Sequence, residues 1–239
     1  MFRKCPRWSI VPALAALLLL VAATTQETHY LQPVEIDVKA IIAAPPAEGS
    51  PEQKAEIEKM LALQAQRTPE EAARCKAESE MNPFIFASVL GDSFNAKNLP
   101  LTARLLDEVF HDTDGVALGA KKLWNRPRPP AADARIQPCV HPEKSTSYPS
   151  GHAARGIVLS TVLVEIFPDK KDQLLALGRQ IGTDRTLAGI HYPSDVAAGQ
   201  TIGEAIVAKI LANPQFKIDL EKARAECSAV MQAGVHKNP

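Results

Sequence analysis

Residues 147–156 read SYPSGHAARG and lead directly into an apolar run at 157–159. Pro149 suits the first turn of a helix, where its missing N–H group costs nothing. Gly151 is a poor helix former, so its presence here needs a reason, and close approach of a ligand to the backbone is one. At a helix start the backbone amides of Ser150, Gly151 and His152 would point at an anion. The stretch therefore predicts a helix whose first turn is suited to binding an anion.

The remaining sequence predicts an all-α fold. Two stretches, 50–53 and 68–71, resemble capping boxes with Pro at the first helical position. No run alternates between apolar and polar residues well enough to indicate a strand. We predict a Pro-rich loop over 125–148 and helices over 51–66, 69–80, 83–91, 99–110, 113–124, 150–166, 168–188, 193–211 and 216–232.

Composition and the N-terminus indicate an exported protein with one globular domain. The chain has 239 residues, is 46% hydrophobic and carries no net charge, so nothing indicates a nucleic-acid partner. A basic start, an apolar run over 9–23 and small residues up to Ala23 are typical of a signal peptide. An uncleaved membrane anchor is the alternative, because about 20 apolar residues can span a bilayer. We predict a signal peptide over 1–23, an extended lead-in over 24–50 and a single helical domain over 51–239.

This organisation predicts a periplasmic or secreted protein, with cleavage near Ala23 and no membrane span in the mature chain. A homodimer is the default expectation for its oligomeric state. After the signal peptide the chain has Cys75, Cys139 and Cys227, an odd number for an oxidising compartment. One disulfide with a spare thiol and three unpaired cysteines both remain open.

The stretch KKLWNRPRPP at 121–130 carries several cations. Cations at a helix end are often solvated, or interact with the helix dipole. Pro127 and Pro129 stiffen the chain around Arg128, however, and a restrained arginine is a good bidentate ligand for phosphate oxygens.

A third cluster, GTDRTLAGIHYPSDVAAG, covers 182–199. Tyr192 precedes a proline, so the next helix should begin at Pro193, with His191 in the connection and Asp195 in the first turn. The carboxylate can then reach one imidazole nitrogen and leave the other free. An ordinary surface hydrogen bond between His191 and Asp195 is the simpler interpretation. Nucleophilic catalysis, however, needs this arrangement of a base and its orienting group.

Together the clusters supply cations at Lys121, Arg128 and Arg185 and two histidines, one with its own carboxylate. This inventory matches phosphoryl transfer through a covalent phosphohistidine. Metal binding is the competing interpretation, but zinc sites gather three or four ligands and nearby cations oppose a metal ion. We therefore predict neither a metal nor a cofactor.

Three spaced motifs carry a family resemblance. In the first, Lys121 is followed after six residues by Arg128-Pro129, and the second is Pro-Ser-Gly-His at 149–152. In the third, Arg185 is followed after five residues by His191, which is followed after three residues by Asp195. This signature resembles the type 2 phosphatidic acid phosphatase superfamily, which also holds vanadium haloperoxidases. With GDSFNAKNLPLTARLL at 91–106, the chain is most similar to the soluble class A bacterial acid phosphatases.

The resemblance implies a helical bundle with its site where helix ends meet, acting on small phosphate esters. The need for one neutral and one protonated histidine predicts a mildly acidic optimum, and the fixed cations would take the place of a metal. His191 would be the nucleophile, Asp195 its orienting partner and His152 the general acid and then base. The phosphate would be held by Lys121, Arg128, Arg185 and the amides near Ser150 and Gly151. The third motif departs from the family because Asp184 stands where Ser is usual.

Three other functions stay open. The substrate could be a lipid phosphate or a pyrophosphate, although the lipid-cleaving members generally have several membrane spans. The same pocket could hold vanadate and act as a vanadium-dependent haloperoxidase. A non-catalytic protein that only binds phosphate is the third, but it would not need both histidines and the carboxylate.

Overall fold

The computed structural model describes residues 30–235, with side chains described to residue 230. No strand occurs within that range, which confirms the predicted all-α class. Short 3-10 turns lie at Pro33–Glu35, Pro83–Phe86 and Pro168–Lys170. The helices are α1 (Val38–Ile41), α2 (Pro51–Gln66), α3 (Pro69–Ala77), α4 (Ala87–Leu90), α5 (Pro100–Trp124), α6 (Pro129–Ala132), α7 (Gly151–Ile166), α8 (Lys171–Leu187), α9 (Pro193–Ala212) and α10 (Pro214–Val235).

Helix α7 is central and packs closely on α8 and α9. A Cβ atom on Gly156 of α7 would collide with the carbonyl oxygen of Gly178 in α8, and one on Gly199 of α9 would collide with the carbonyl oxygen of Ser150. These glycines let the helix backbones touch, which brings the start of α7 against the start of α9. The core around them is apolar and fully buried, and includes Leu159, Leu163, Ile181, Ile202 and Ile206.

Local signals locate most helix starts correctly. The hydroxyl groups of Ser50 and Thr68 cap α2 and α3, and each helix begins at the following proline. The reciprocal bond of a capping box forms at Thr68 but not at Ser50, because the Gln53 side chain accepts from the N–H of Gly49 instead. Two predictions of detail are wrong: 99–110 and 113–124 form the single helix α5, and α6 interrupts the predicted loop. The polar pair at 111–112 does not end α5, because the buried Asp112 carboxylate accepts the backbone N–H groups of Tyr30 and Leu31.

The segment before α2 differs from the extended, loose lead-in predicted for 24–50. From residue 30 onward most of its large apolar side chains are buried in the main core, namely Tyr30, Leu31, Ile36, Val38 and Ile42, whereas Val34 is exposed. The predicted signal peptide at 1–23 lies outside the described residues. Within the described range, no helix combines the length and apolar character that crossing a bilayer requires.

Candidate active site

His191 lies in the connection between α8 and α9, as predicted, and is fully buried. Its Nδ1 atom is 3.2 Å from Asp195 Oδ2, and its Nε2 atom is 3.1 Å from Arg128 Nη1. A guanidinium only donates hydrogen bonds, so Nε2 must be the acceptor and Nδ1 must carry the proton given to Asp195. The ring is therefore held as the tautomer whose Nε2 lone pair faces the cation cluster. Burial lowers the pKa of His191 to about 4, although the Asp195 carboxylate opposes the shift.

Asp195 is buried in the first turn of α9, where hydrogen-bond donors surround it. Its Oδ2 atom accepts from the backbone N–H of Tyr192 at 2.9 Å and from the hydroxyl of Ser147. Burial alone would raise the pKa of Asp195, but the hydrogen bond and charge of His191 and the charge of Arg126 lower it. The carboxylate is therefore ionised and fixed in orientation.

Arg126 is one of the site residues that the sequence analysis missed. Its Nη1 atom lies 2.6 Å from Asp195 Oδ1, and its Nη2 atom lies 2.8 Å from Glu56 Oε2 on α2. The guanidinium stacks 3.7 Å from the centroid of the Tyr192 ring. A signal was present, since Arg126 is a second proline-restrained arginine two residues before Arg128. The motif spacing, however, pointed only to Arg128.

His152 lies in the first turn of α7 and is buried. The helix starts two residues later than Pro149 at the first helical position would require, because Ser150 is the N-cap and Pro149 precedes it. The Nε2 atom of His152 lies 3.3 Å from the carbonyl oxygen of Ser79, and Nδ1 lies 3.4 Å from Glu143 Oε1. Both ring nitrogens thus face acceptors, an arrangement that only a protonated ring satisfies in full. Burial and the charges of Arg185 and Arg155 nevertheless lower the pKa of His152 to about 3.

The structure brings the predicted cations Lys121 and Arg128 to the same place. Lys121 Nζ donates to the carbonyl oxygen of Thr146 at 2.6 Å, and Arg128 Nε donates to that of Ser145 at 2.9 Å. Burial and the charge of Arg128 lower the pKa of Lys121 to about 8. Arg128 Nη2 is 2.9 Å from Glu143 Oε2, so a continuous line of contacts runs from His152 through Glu143 and Arg128 to His191.

Arg185 is buried behind His152. Its Nη2 atom lies 3.5 Å from the hydroxyl of Ser79, whose carbonyl oxygen faces His152, and its Nε atom has no hydrogen-bond partner. The neighbouring Asp184 forms a two-pronged ion pair with Arg74 of α3, at 2.6 Å and 3.0 Å. Asp184, which stands where the family usually has Ser, therefore anchors α8 to α3 through this ion pair.

Ser150 differs from its predicted role. Its backbone N–H donates to the carbonyl oxygen of Asp195 at 2.9 Å, and its hydroxyl accepts from the N–H of Ala153. The N–H that was expected to hold an anion instead joins the start of α7 to the start of α9. Gly151 is the first residue of α7, at the position predicted for it.

The cysteines and the remaining candidate ligands complete the description. Cys75, Cys139 and Cys227 are free thiols; Cys75 and Cys139 share one small apolar cluster, whereas Cys227 lies in the main core. Among the residues with described side chains, no three His, Cys, Asp or Glu are grouped in a way that would hold a metal ion.

Comparison with known proteins identifies the family of this chain. The model of the PAP2 superfamily matches residues 105–219, a range that contains all three motifs. The non-specific acid phosphatase of Providencia stuartii is 32% identical over 215 residues, which cover 85% of this chain and 86% of that protein. The non-specific acid phosphatase of Salmonella typhimurium is 34% identical over 59% of each chain.

Two solved structures share the fold. A transmembrane PAP2-type phosphatidylglycerolphosphate phosphatase from Bacillus subtilis aligns with a TM-score of 0.52 at 21% identity, covering 75% of this chain and 94% of its own. A bacterial vanadium-dependent iodoperoxidase aligns with a TM-score of 0.55 at 18% identity, covering 72% of this chain and 52% of its own. The 32% identity over most of both chains, together with the superfamily match, shows that the chain belongs to the PAP2 superfamily, in the family of the non-specific acid phosphatases.

Proposed function

We propose that this protein is an acid phosphatase that hydrolyses phosphate monoesters through a phosphohistidine at His191. One observation carries the proposal: Nδ1 of His191 lies 3.2 Å from Asp195 Oδ2, while Nε2 lies 3.1 Å from Arg128 Nη1, which fixes the ring with Nε2 toward the cations. The identity to acid phosphatases over most of the chain supports the reaction class. The mature protein would act after export and cleavage near Ala23, on small-molecule phosphate esters.

In the first step Nε2 of His191 attacks the phosphorus atom, so an N–P bond forms while the P–O bond to the alcohol breaks. The leaving alkoxide takes a proton from His152. Lys121, Arg128 and Arg185 stabilise the charge on the equatorial oxygens, and loss of one such donor typically costs about 100- to 1000-fold in rate. Asp195 stabilises the positive charge that develops on the His191 ring.

In the second step a water molecule attacks the phosphohistidine. His152, which is now neutral, accepts a proton from that water, and the N–P bond breaks with its electron pair returning to Nε2. Inorganic phosphate leaves, and both histidines recover their starting states. No metal takes part in this scheme, because fixed cations carry the charge.

The pKa values give the scheme a pH range. His191 is a neutral nucleophile above its pKa of about 4. His152 has a pKa of about 3, so it needs the added negative charge of the substrate beside it to hold its proton. The second ionisation of a phosphate monoester lies near about pH 6. We expect kcat/KM to rise through about pH 4 and to fall above about pH 6, because the monoanion brings the proton that His152 takes up and the dianion does not.

The test is an activity panel on the purified mature protein. Released phosphate is measured for 4-nitrophenyl phosphate, sugar phosphates, pyrophosphate and a dispersed lipid phosphate, each with and without a chelator. We expect chelator-insensitive hydrolysis of the monoesters and none by His191→Ala, whose fold is checked by circular dichroism. Bromide oxidation with vanadate and peroxide tests the haloperoxidase alternative. Unimpaired turnover by His191→Ala, or halide oxidation without phosphate release, would overturn the proposal.

A further inference from the structure

The connection between α6 and α7 places a carboxylate among the cations of the site. Glu143 Oε2 lies 2.9 Å from Arg128 Nη2 and accepts from the hydroxyl of Ser145 at 3.3 Å. Its other oxygen, Oε1, lies 3.4 Å from Nδ1 of His152. The carboxylate therefore bridges a predicted phosphate ligand and the predicted general acid.

The charge of this carboxylate is held firmly. Burial would raise the pKa of Glu143, but positive charge on four nearby groups, His152, Arg128, His191 and Lys121, lowers it to about 2. Above the pKa values of the two histidines, Arg128 and Lys121 keep their charge and continue to favour the carboxylate. These four groups are the ones that would surround a phosphoryl group in the proposed reaction. The Glu143 carboxylate is therefore an anion at every pH at which we expect the enzyme to work.

The same contacts occupy two groups beside the nucleophile that the reaction would use. His191 is fully buried, and Glu143 occupies Nη2 of Arg128 and Nδ1 of His152, two groups that a phosphoryl oxygen or a leaving group would need. The Glu143 side chain itself is 41% exposed, so it reaches the cations from the solvent side. A phosphate and this carboxylate cannot hold the same donors together.

We propose that Glu143 is an internal competitor for the phosphate site, and that a substrate must displace its carboxylate before it reaches His191. The surroundings leave room for this movement. A cavity of about 430 Å³ beside Arg128 and a second of about 920 Å³ beside Ser79 flank the segment, and Pro142 lines both. The inference rests on the proposed function, because it assumes that these cations bind phosphate. The consequence of this competition is that the site binds phosphate more weakly, and thus releases the product faster, than it would without the Glu143 carboxylate.

Two variants test the proposal. Glu143→Gln keeps the size of the side chain and removes its charge, and Glu143→Ala removes the competing group. Glu165→Gln is the matched control, since Glu165 pairs with Arg224 at 3.1 Å and is 40% exposed, away from the site. The readouts are the Kd of inorganic phosphate by titration calorimetry and its inhibition constant against 4-nitrophenyl phosphate hydrolysis.

We expect both Glu143 variants to bind inorganic phosphate about tenfold more tightly, which corresponds to about 1.4 kcal/mol, and Glu165→Gln to match the wild type. Unchanged or weaker phosphate binding by folded Glu143 variants would overturn the inference. So would a lower kcat with a higher KM, because Glu143 would then assist His152. A wild type that binds phosphate but hydrolyses no monoester would contradict the proposed function instead, which keeps the two failures distinct.

Discussion

Replacing Arg126 with Met removes a buried positive charge that bridges Asp195 and Glu56 while keeping much of the side-chain volume. Removal of one partner from a buried ion pair typically costs about 3–5 kcal/mol, because the other charge stays buried without compensation. Domains of this kind are stable by about 5–15 kcal/mol, so the variant should fold with a reduced margin. Loss of the stack on Tyr192 adds to that cost.

The same change should alter the chemistry of His191. Without Arg126, the Asp195 carboxylate interacts more strongly with the Nδ1 proton, which raises the pKa of His191 above about 4. An increase of one pKa unit reduces the neutral nucleophile about tenfold on the acidic limb of the pH profile. The assay is kcat/KM for 4-nitrophenyl phosphate from about pH 3.5 to about pH 8, with thermal unfolding in parallel. We expect the acidic limb of the kcat/KM profile to shift to higher pH by about one pH unit.

Two further variants make the result interpretable. Arg126→Lys keeps the charge and should restore much of the acidic limb, although it loses the two-pronged geometry. Arg224→Met removes partly exposed ion pairs to Glu165 and Glu221, so it should cost little stability and leave the pH profile unchanged. If Arg126→Met loses stability but keeps the wild-type acidic limb, Arg126 supports only the fold and this reasoning fails.

Two predictions concern stability. Gly178→Ala places a methyl group against Ser160 and the Gly156 carbonyl group, so it should lower the free energy of unfolding in urea by about 1–3 kcal/mol. Gly119→Ala meets no neighbouring atom and should raise that free energy by up to about 1 kcal/mol. Equal urea midpoints for the two variants would contradict close contact of α7 and α8. The pKa of His191 is about 4 in the fold and 6.5 unfolded, so the unfolded state binds more protons between these values, and stability from this group is lost as pH falls through that window. The full difference between the two pKa values is worth about 3 kcal/mol in the free energy of unfolding. His191→Asn should therefore reduce the change in unfolding free energy across this pH window by about that amount. An unchanged slope would show that His191 is not buried as a neutral ring.

The sequence predicts those parts of the fold that local chemistry decides. Ser50 and Thr68 mark helix starts because their hydroxyl groups cap amides three residues away, and Pro193 starts α9 because Tyr192 is held extended. The spacing of His191 and Asp195 likewise gives a correct contact, since only one bend separates them.

The remainder depends on contacts between distant segments. Helix α5 continues past Asp112 because that carboxylate binds backbone amides 81 and 82 residues away. The supporting acids Glu56 and Glu143 reach the site from α2 and from a loop, and no local pattern distinguishes them from solvated glutamates. The sequence predicts anion binding at the Ser150 amide, because it does not show that the Asp195 carbonyl group lies against this N–H.

The central claim is that His191 carries the phosphoryl group during turnover, and direct detection of that adduct is its sharpest test. His152→Ala should accumulate the adduct from 4-nitrophenyl phosphate, because this leaving group needs little protonation whereas water activation is lost. The reaction is quenched in alkali, where a phosphohistidine survives, and the peptide that contains His191 is analysed by mass spectrometry. We predict one phosphoryl group on His191, and none in the double variant that also carries His191→Ala. A burst of nitrophenol with no phosphoryl group on that residue, or with the group on another side chain, would contradict the mechanism.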